Sequence, residues 1–193
     1  MSCLSWNCRG LGNAATVKEL RELVKKVAPT VLCVLENQVH EVRVEGLKNT
    51  LGFDNCFAVR SLGRSGGLGF FWNNSTRVQF LPFSQYHIDT IITEDEFDPW
   101  RLTCVYGEAQ VPERHKTWAV LKFIKATSPL PWVCIGDFNE VLHRSEHVGV
   151  QERNRAQIEG FRDMVDICGL CDLGYEGRSW TYEKKVAGER FVE

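Results

Sequence analysis

The chain has 193 residues, a formal net charge of −2, 44% hydrophobic and 25% charged residues. That length fits one domain able to bury a core of its own, and the near-neutral balance excludes a strong global field for nucleic acid or an anionic membrane, so any basic footprint is local. No run approaches the ~20 apolar residues of a spanning helix, and Met1–Asn7 carries no secretory pattern, so the expectation is a soluble intracellular chain, nuclear or cytoplasmic, with no membrane partner and no identifiable protein partner.

Leu4-Ser5-Trp6 reads as a short strand followed by a turn at Arg9–Gly12. Thr16 and Glu19 have capping-box spacing, and Val17, Leu20, Val24 and Val27 recur at helical intervals until Pro29. Val31–Leu35 is an uninterrupted apolar strand, and Leu47 and Leu51 predict a short helix ending at Gly52. Strands are expected at Cys56–Arg60, Gly67–Trp72, Arg77–Phe83, Ile88–Thr93 and Arg101–Tyr106. Their short Gly-, Asn-, Asp- and Pro-rich links imply an antiparallel meander. Pro112 opens a helix with Trp118, Leu121, Ile124 and Lys125 on its inner face. A strand at 132–135, a helix at Arg155–Cys168 with Ile158, Phe161 and Val165 inward, and two short strands near Cys171–Leu173 and Ser179–Lys184 complete the order. Helices flanking many strands fit a sheet sandwich with helices outside.

Two strands end in acids. Val31–Leu35 runs into Glu36, and Trp132–Ile135 runs through Gly136 into Asp137, with Asn139 two residues on. Residues two apart along an extended chain point the same way, and strand ends are favoured places for sites. Asn7 ends the first strand in the same manner. Two carboxylates and two amides suit a hard cation such as Mg²⁺, which keeps several waters and takes phosphate oxygens to complete its shell. The opposing view is a solvated strand end for Glu36 and a turn asparagine for Asn7. Tyr106, at the end of another apolar run, either donates to an anionic oxygen or is simply a strand-end aromatic.

The segment Gly63–Gly69 is glycine-rich but lacks the Gly-Lys-Ser/Thr of a P-loop and precedes a strand, so it reads as a hairpin connection, with Arg60 or Arg64 within reach of a phosphate. His143 and His147 flank a Glu–Gly loop, and none of the five histidines forms a metal-binding pair. Eight cysteines, three of them (Cys33, Cys104, Cys134) inside apolar strands, predict buried free thiols in a reducing compartment and no disulfide framework. Cys168 and Cys171 have CxxC spacing without a second pair, which favours structural thiols over metal or redox chemistry.

Six blocks occur in one order: Trp6–Gly12, Leu35-Glu36, Ser65–Gly69, Val105-Tyr106-Gly107, Gly136–Glu140 and Trp180-Thr181-Tyr182. Together they resemble the endonuclease/exonuclease/phosphatase superfamily, the group of DNase I and the apurinic endonucleases. The resemblance is strongest to the endonuclease domains of plant LINE-type (non-LTR) retrotransposons, through the stretch Phe161–Trp180. It implies a DNase I-like four-layer α/β/β/α sandwich over 1–193 as a single domain, and Mg²⁺- or Mn²⁺-dependent phosphodiester cleavage with DNA as partner. By motif position, Glu36 resembles the metal-binding glutamate and Asn7 the asparagine beside it. Tyr106 resembles the phosphate-contacting tyrosine, Asp137 the metal-side acid that aligns the attacking water, and Asn139 the amide that holds the phosphate. Trp180 falls at the substrate pocket, and Arg64 is a further substrate-binding candidate.

Three departures from the family pattern stand out. The Arg-Leu-Asp-Arg and Ser-Asp-His blocks are missing after Gly188–Glu193, so the expectation is a domain lacking its last strands and its catalytic Asp-His pair, with weak or no activity. Arg9 stands where repair-type relatives carry an aspartate. Glu36 is followed by Asn37-Gln38 in place of Thr-Lys or a similar pair. The competing reading is a non-catalytic nucleic-acid-binding or decayed interaction domain.

Overall fold

The apolar segments fold into two four-stranded sheets in a computed structural model that describes residues 1–62, 65–148, 153–174, 176, 181, 183–186 and 189–192. Backbone contacts group the chain into two units, residues 1–106 with 130–137, and residues 107–129 with 138–193.

The first unit contains β1 (Cys3–Asn7), α1 (Ala14–Val27), β2 (Val31–Leu35), α2 (Glu41–Glu45), α3 (Lys48–Leu51), β3 (Asn55–Leu62), β4 (Ser65–Trp72), β5 (Arg77–Phe80), β6 (His87–Glu94), β7 (Phe97–Tyr106) and, after the excursion through the second unit, β8 (Trp132–Asp137). One sheet has the order β1-β2-β4-β3 and the other β5-β6-β7-β8. The expected single meander is therefore divided between β4 and β5. Two parallel pairs that sequence pattern did not reveal, β1–β2 and β7–β8, close one side of each sheet.

Why β2 reads as an unbroken apolar run is now plain. Its Val31, Cys33 and Leu35 pack between the sheets with Leu68, Phe70, Ile88, Ile92 and Leu102. Its Leu32 and Val34 face the other way, onto Leu20 and Val24 of α1 and onto Val44, Leu47 and Leu51 of the two short helices. A strand covered on both faces has no polar alternation to keep. The thiol expectation fails at one place: Cys33 and Cys104 are joined as a disulfide. β2 and β7 lie opposite each other across the inter-sheet core, with the two Cα atoms 6.3 Å apart, within the span a disulfide bridges. The other six cysteines are free.

Helix α1 begins two residues before the expected capping box. Asn13 is its N-cap and accepts from the Ala15 N–H, so Thr16 lies inside the first turn. It ends where expected, with Ala28 in the left-handed region ahead of Pro29. Gly136 is needed just before Asp137. Its φ is 147°, and a Cβ there would overlap the Val105 carbonyl oxygen on β7.

The second unit holds a 3₁₀ turn at Val111–Glu113, α4 (His115–Ala126), a second 3₁₀ turn at Arg144–Glu146, α5 (Arg155–Cys168), and the antiparallel hairpin β9 (Glu183–Val186) and β10 (Glu189–Val192). Helices α4 and α5 meet at Trp118 and Phe161, with ring centroids 6.4 Å apart, over Gly160. Ile158, Phe161, Met164 and Cys168 are buried, while Lys125, expected on the inner face of α4, is exposed. Cys171–Leu173 forms no strand; residues 179, 180 and 182 of the last expected strand lie outside the described set.

Candidate functional site

Three of the expected polar strand ends are connected within the first unit. The parallel register sets Asn7 opposite Leu35, so Glu36 leaves β2 beside the end of β1. On the second sheet, Tyr106 pairs with Asp137 in the parallel β7–β8 register. A side-chain bond ties the two sheets at this end: Asn7 donates from Nδ2 to Asp137 Oδ2 at 2.8 Å. The Asn7 Oδ1 accepts from the Arg9 N–H at 3.3 Å. Asn7, Glu36 and Asp137 are all half-buried, and Tyr106 is buried in the inter-sheet core.

Glu36 sits in an unusual piece of backbone. Both Glu36 (φ 54°) and Gln38 (φ 52°) adopt left-handed conformations, which cost a non-glycine residue of order 1 kcal/mol or more and persist only when their surroundings enforce them. The enforcement is visible. The Asn37 N–H donates to the Gly67 carbonyl and the Gln38 N–H to that of Gly66, at the start of β4, while the Asn37 carbonyl accepts from the Leu11 N–H. Asn37 is fully buried, and its Oδ1 accepts from the Val39 N–H at 3.1 Å. Gly67 must lack a side chain here, because a Cβ would stand 2.5 Å from Asn37 Oδ1. Of the glycine-rich segment expected as a hairpin connection, residues 65–69 belong to β4 itself and residues 63 and 64 lie outside the described set; Gly66 and Gly67 of β4 anchor the Glu36 segment.

In the second unit, Asn139 also has a positive φ (54°) and donates from Nδ2 to the Gly107 carbonyl at 2.6 Å. A Cβ on Gly107 would overlap the Phe138 carbonyl. The neighbouring Glu140 side chain is fully buried and paired with Arg114, and it also accepts from the Val141 N–H. Arg64 and Trp180 lie outside the described residues. Arg60 is exposed.

The donor set at the strand ends of the first unit is all oxygen: the carboxylates of Glu36 and Asp137 and the amide of Asn7. Among the described residues no cluster of three or more His, Cys, Asp or Glu side chains occurs. Oxygen donors of this kind suit a hard cation. Glu36 Oε2 has no hydrogen-bond partner among the described residues, whereas Oε1 accepts from Gln38 Nε2 at 2.9 Å. The nearby thiol of Cys8 is kept neutral, with burial pushing its pKa up to about 11.

Sequence reasoning missed Gln38, Asn37, Arg114 and Glu140. Among the described residues, three non-glycine residues with positive φ (Arg9, Glu36, Gln38) lie at or near the strand ends of the first unit, Asn139 is a fourth in the second unit, and Ala28 caps a helix. Such strain clusters at functional sites, yet no residue type announces it in the sequence.

Residues 4–190 match the profile of the endonuclease/exonuclease/phosphatase family. No curated protein matches the chain significantly. Among solved structures, the endonuclease domain of TRAS1, a telomere-specific non-LTR retrotransposon, aligns over 98% of this chain and 80% of its own, with TM-score 0.71 and 15% identity. The 3′ phosphatase NExo from Neisseria, bound to a product DNA hairpin, aligns over 86% of this chain and 71% of its own (TM-score 0.68, 14% identity). The AP endonuclease LMAP from Leishmania major aligns over 85% and 65% (TM-score 0.62, 14% identity). At these identities the likeness speaks for the fold, a DNase I-like mixed α/β architecture built on two sheets.

Proposed function

The chain belongs to the endonuclease/exonuclease/phosphatase family, and on that premise we propose that it is a divalent-metal-dependent, phosphodiester-cleaving endonuclease-type domain of retrotransposon origin acting on DNA. The observation that carries this reading is the Asn7–Asp137 hydrogen bond at 2.8 Å, which joins the ends of two sheets beside Glu36. The retrotransposon assignment, of the plant LINE type, rests on the motif blocks and is supported by the likeness to the TRAS1 domain over nearly the whole chain.

In this reading Glu36, Asn7 and Asp137 hold Mg²⁺ or Mn²⁺. When bound, the cation supplies Lewis-acid neutralisation of charge on the phosphate. Asp137 orients the attacking water, and the Asn7 amide keeps the Asp137 carboxylate aligned. Tyr106 donates to a phosphate oxygen as negative charge grows on it. Arg64 and Trp180 contact the nucleic acid outside the reacting group.

The test is relaxation of supercoiled plasmid with and without Mg²⁺. Slow nicking that requires the cation and falls about 100-fold or more in Glu36→Ala and Asp137→Ala supports the reading. Nicking unchanged in both variants overturns it, and DNA binding without any nicking supports a non-catalytic binding domain instead.

A further inference from the structure

The Glu36 carboxylate is gripped by a residue with no part in the reaction scheme above. Gln38 Nε2 donates to Glu36 Oε1 at 2.9 Å, and the oxygen left over, Oε2, is the one without a partner among the described residues. The direction of the bond is fixed by chemistry, since an ionised carboxylate only accepts and the carboxamide must present its NH₂. Reaching back across one residue requires the left-handed backbone at both Glu36 and Gln38, and that backbone is held by the Gly66 and Gly67 carbonyls and by the fully buried Asn37. Backbone bonds hold Asn37 and Gln38, and the segment presents the oriented Glu36 carboxylate at the strand end.

We propose that Gln38 is a positioning residue for the cation-binding carboxylate of Glu36, an assignment that rests on the metal-dependent reading of the site. Its amide selects one rotamer of Glu36 and directs Oε2 outward. Because the amide is neutral, it orients the carboxylate without cancelling its charge. Partners that orient ligating groups typically change metal affinity by 10–100-fold.

The experiment is a Mn²⁺ titration of the full chain, reading free Mn²⁺ by electron paramagnetic resonance, with the melting temperature of the metal-free protein measured in parallel. Gln38→Met removes the hydrogen bond at nearly constant volume, and Gln38→Lys keeps a donor but adds a charge. The expected result is a Mn²⁺ affinity about 10-fold weaker in Gln38→Met and close to the parent's in Gln38→Lys, which keeps a donor, with metal-free melting close to that of the parent chain. A lowered melting temperature with unchanged affinity in both variants assigns Gln38 a purely structural role and overturns the inference. Glu36→Ala separates the two levels. If the parent binds Mn²⁺ saturably, Glu36→Ala abolishes binding and the Gln38 variants bind like the parent, the inference alone fails. If the parent shows no saturable binding, or Glu36→Ala binds like the parent, the metal-dependent reading fails and the inference with it.

Discussion

At the residue scale, the site depends on side chains whose positions are set by backbone that glycine permits or strain enforces. Asn7→Ala removes the 2.8 Å bond to Asp137. In a half-buried setting the expected cost is about 1 kcal/mol of stability in urea unfolding, with a much larger fractional loss of nicking because Asp137 is released. Gly67→Ala tests the Glu36 strap. A Cβ there runs into Asn37 Oδ1, and φ is 85°, so the expected loss is about 2–3 kcal/mol together with weaker Mn²⁺ binding. A Gly67→Ala protein as stable as its parent would show that the strap is not rigid. Asn7, Glu36 and Asp137 were legible in the sequence because each terminates an apolar strand, and the end of a buried strand is identifiable from the run alone. Gln38 was not legible, because its role follows from a left-handed backbone held by carbonyls about 30 positions further along the chain.

At the scale of elements, strands and helices were recovered wherever a single periodicity governed them. β2, the α5 span and the core of β6 and β7 follow directly from apolar runs or helical spacing. What escaped was pairing. The parallel β1–β2 and β7–β8 ladders and the division into two sheets depend on long-range register that residue pattern does not encode. The same holds for the buried charges of β6 and β7. Arg101 Nε donates to Asp89 Oδ1 at 2.9 Å, Thr103 Oγ1 donates to the same oxygen at 2.8 Å, and Trp132 Nε1 donates to Thr103 Oγ1 at 2.8 Å. Both members of the ion pair are almost fully buried. Removing one partner strands a charge in the interior, so Arg101→Met should cost about 3–5 kcal/mol, while the double substitution with Asp89→Leu should recover most of that. Chemical denaturation of the two variants checks this; additive losses would mean the groups do not act as a pair.

At the scale of the whole molecule, two conditions should change stability in ways the structure specifies. His87 is buried against Ser84 and the Pro82 carbonyl, and burial holds its pKa below 6.5 despite the opposing pull of Asp89. The unfolded chain therefore binds a proton at higher pH than the folded chain does. Its contribution is intact above about pH 6.5 and is lost as pH falls below that value. Stability measured from pH 7 to 5 should decline less in His87→Gln than in the parent; identical slopes would remove His87 as a cause. Reduction of the Cys33–Cys104 bridge, which closes a 71-residue separation between the sheets, should lower stability by up to about 4 kcal/mol on the chain-entropy account, read as a lower melting temperature in reductant. The cysteines illustrate the limit of sequence reading: both lie in apolar runs, and only the stacking of the sheets brings them together. The central claim, a cation held where Glu36, Asn7 and Asp137 meet the solvent, is tested most directly by anomalous diffraction from crystals soaked in Mn²⁺. The account predicts one strong peak at roughly 2.0–2.3 Å from a Glu36 carboxylate oxygen, lost in Glu36→Ala crystals. A peak bound elsewhere, or none at saturating Mn²⁺, would contradict it.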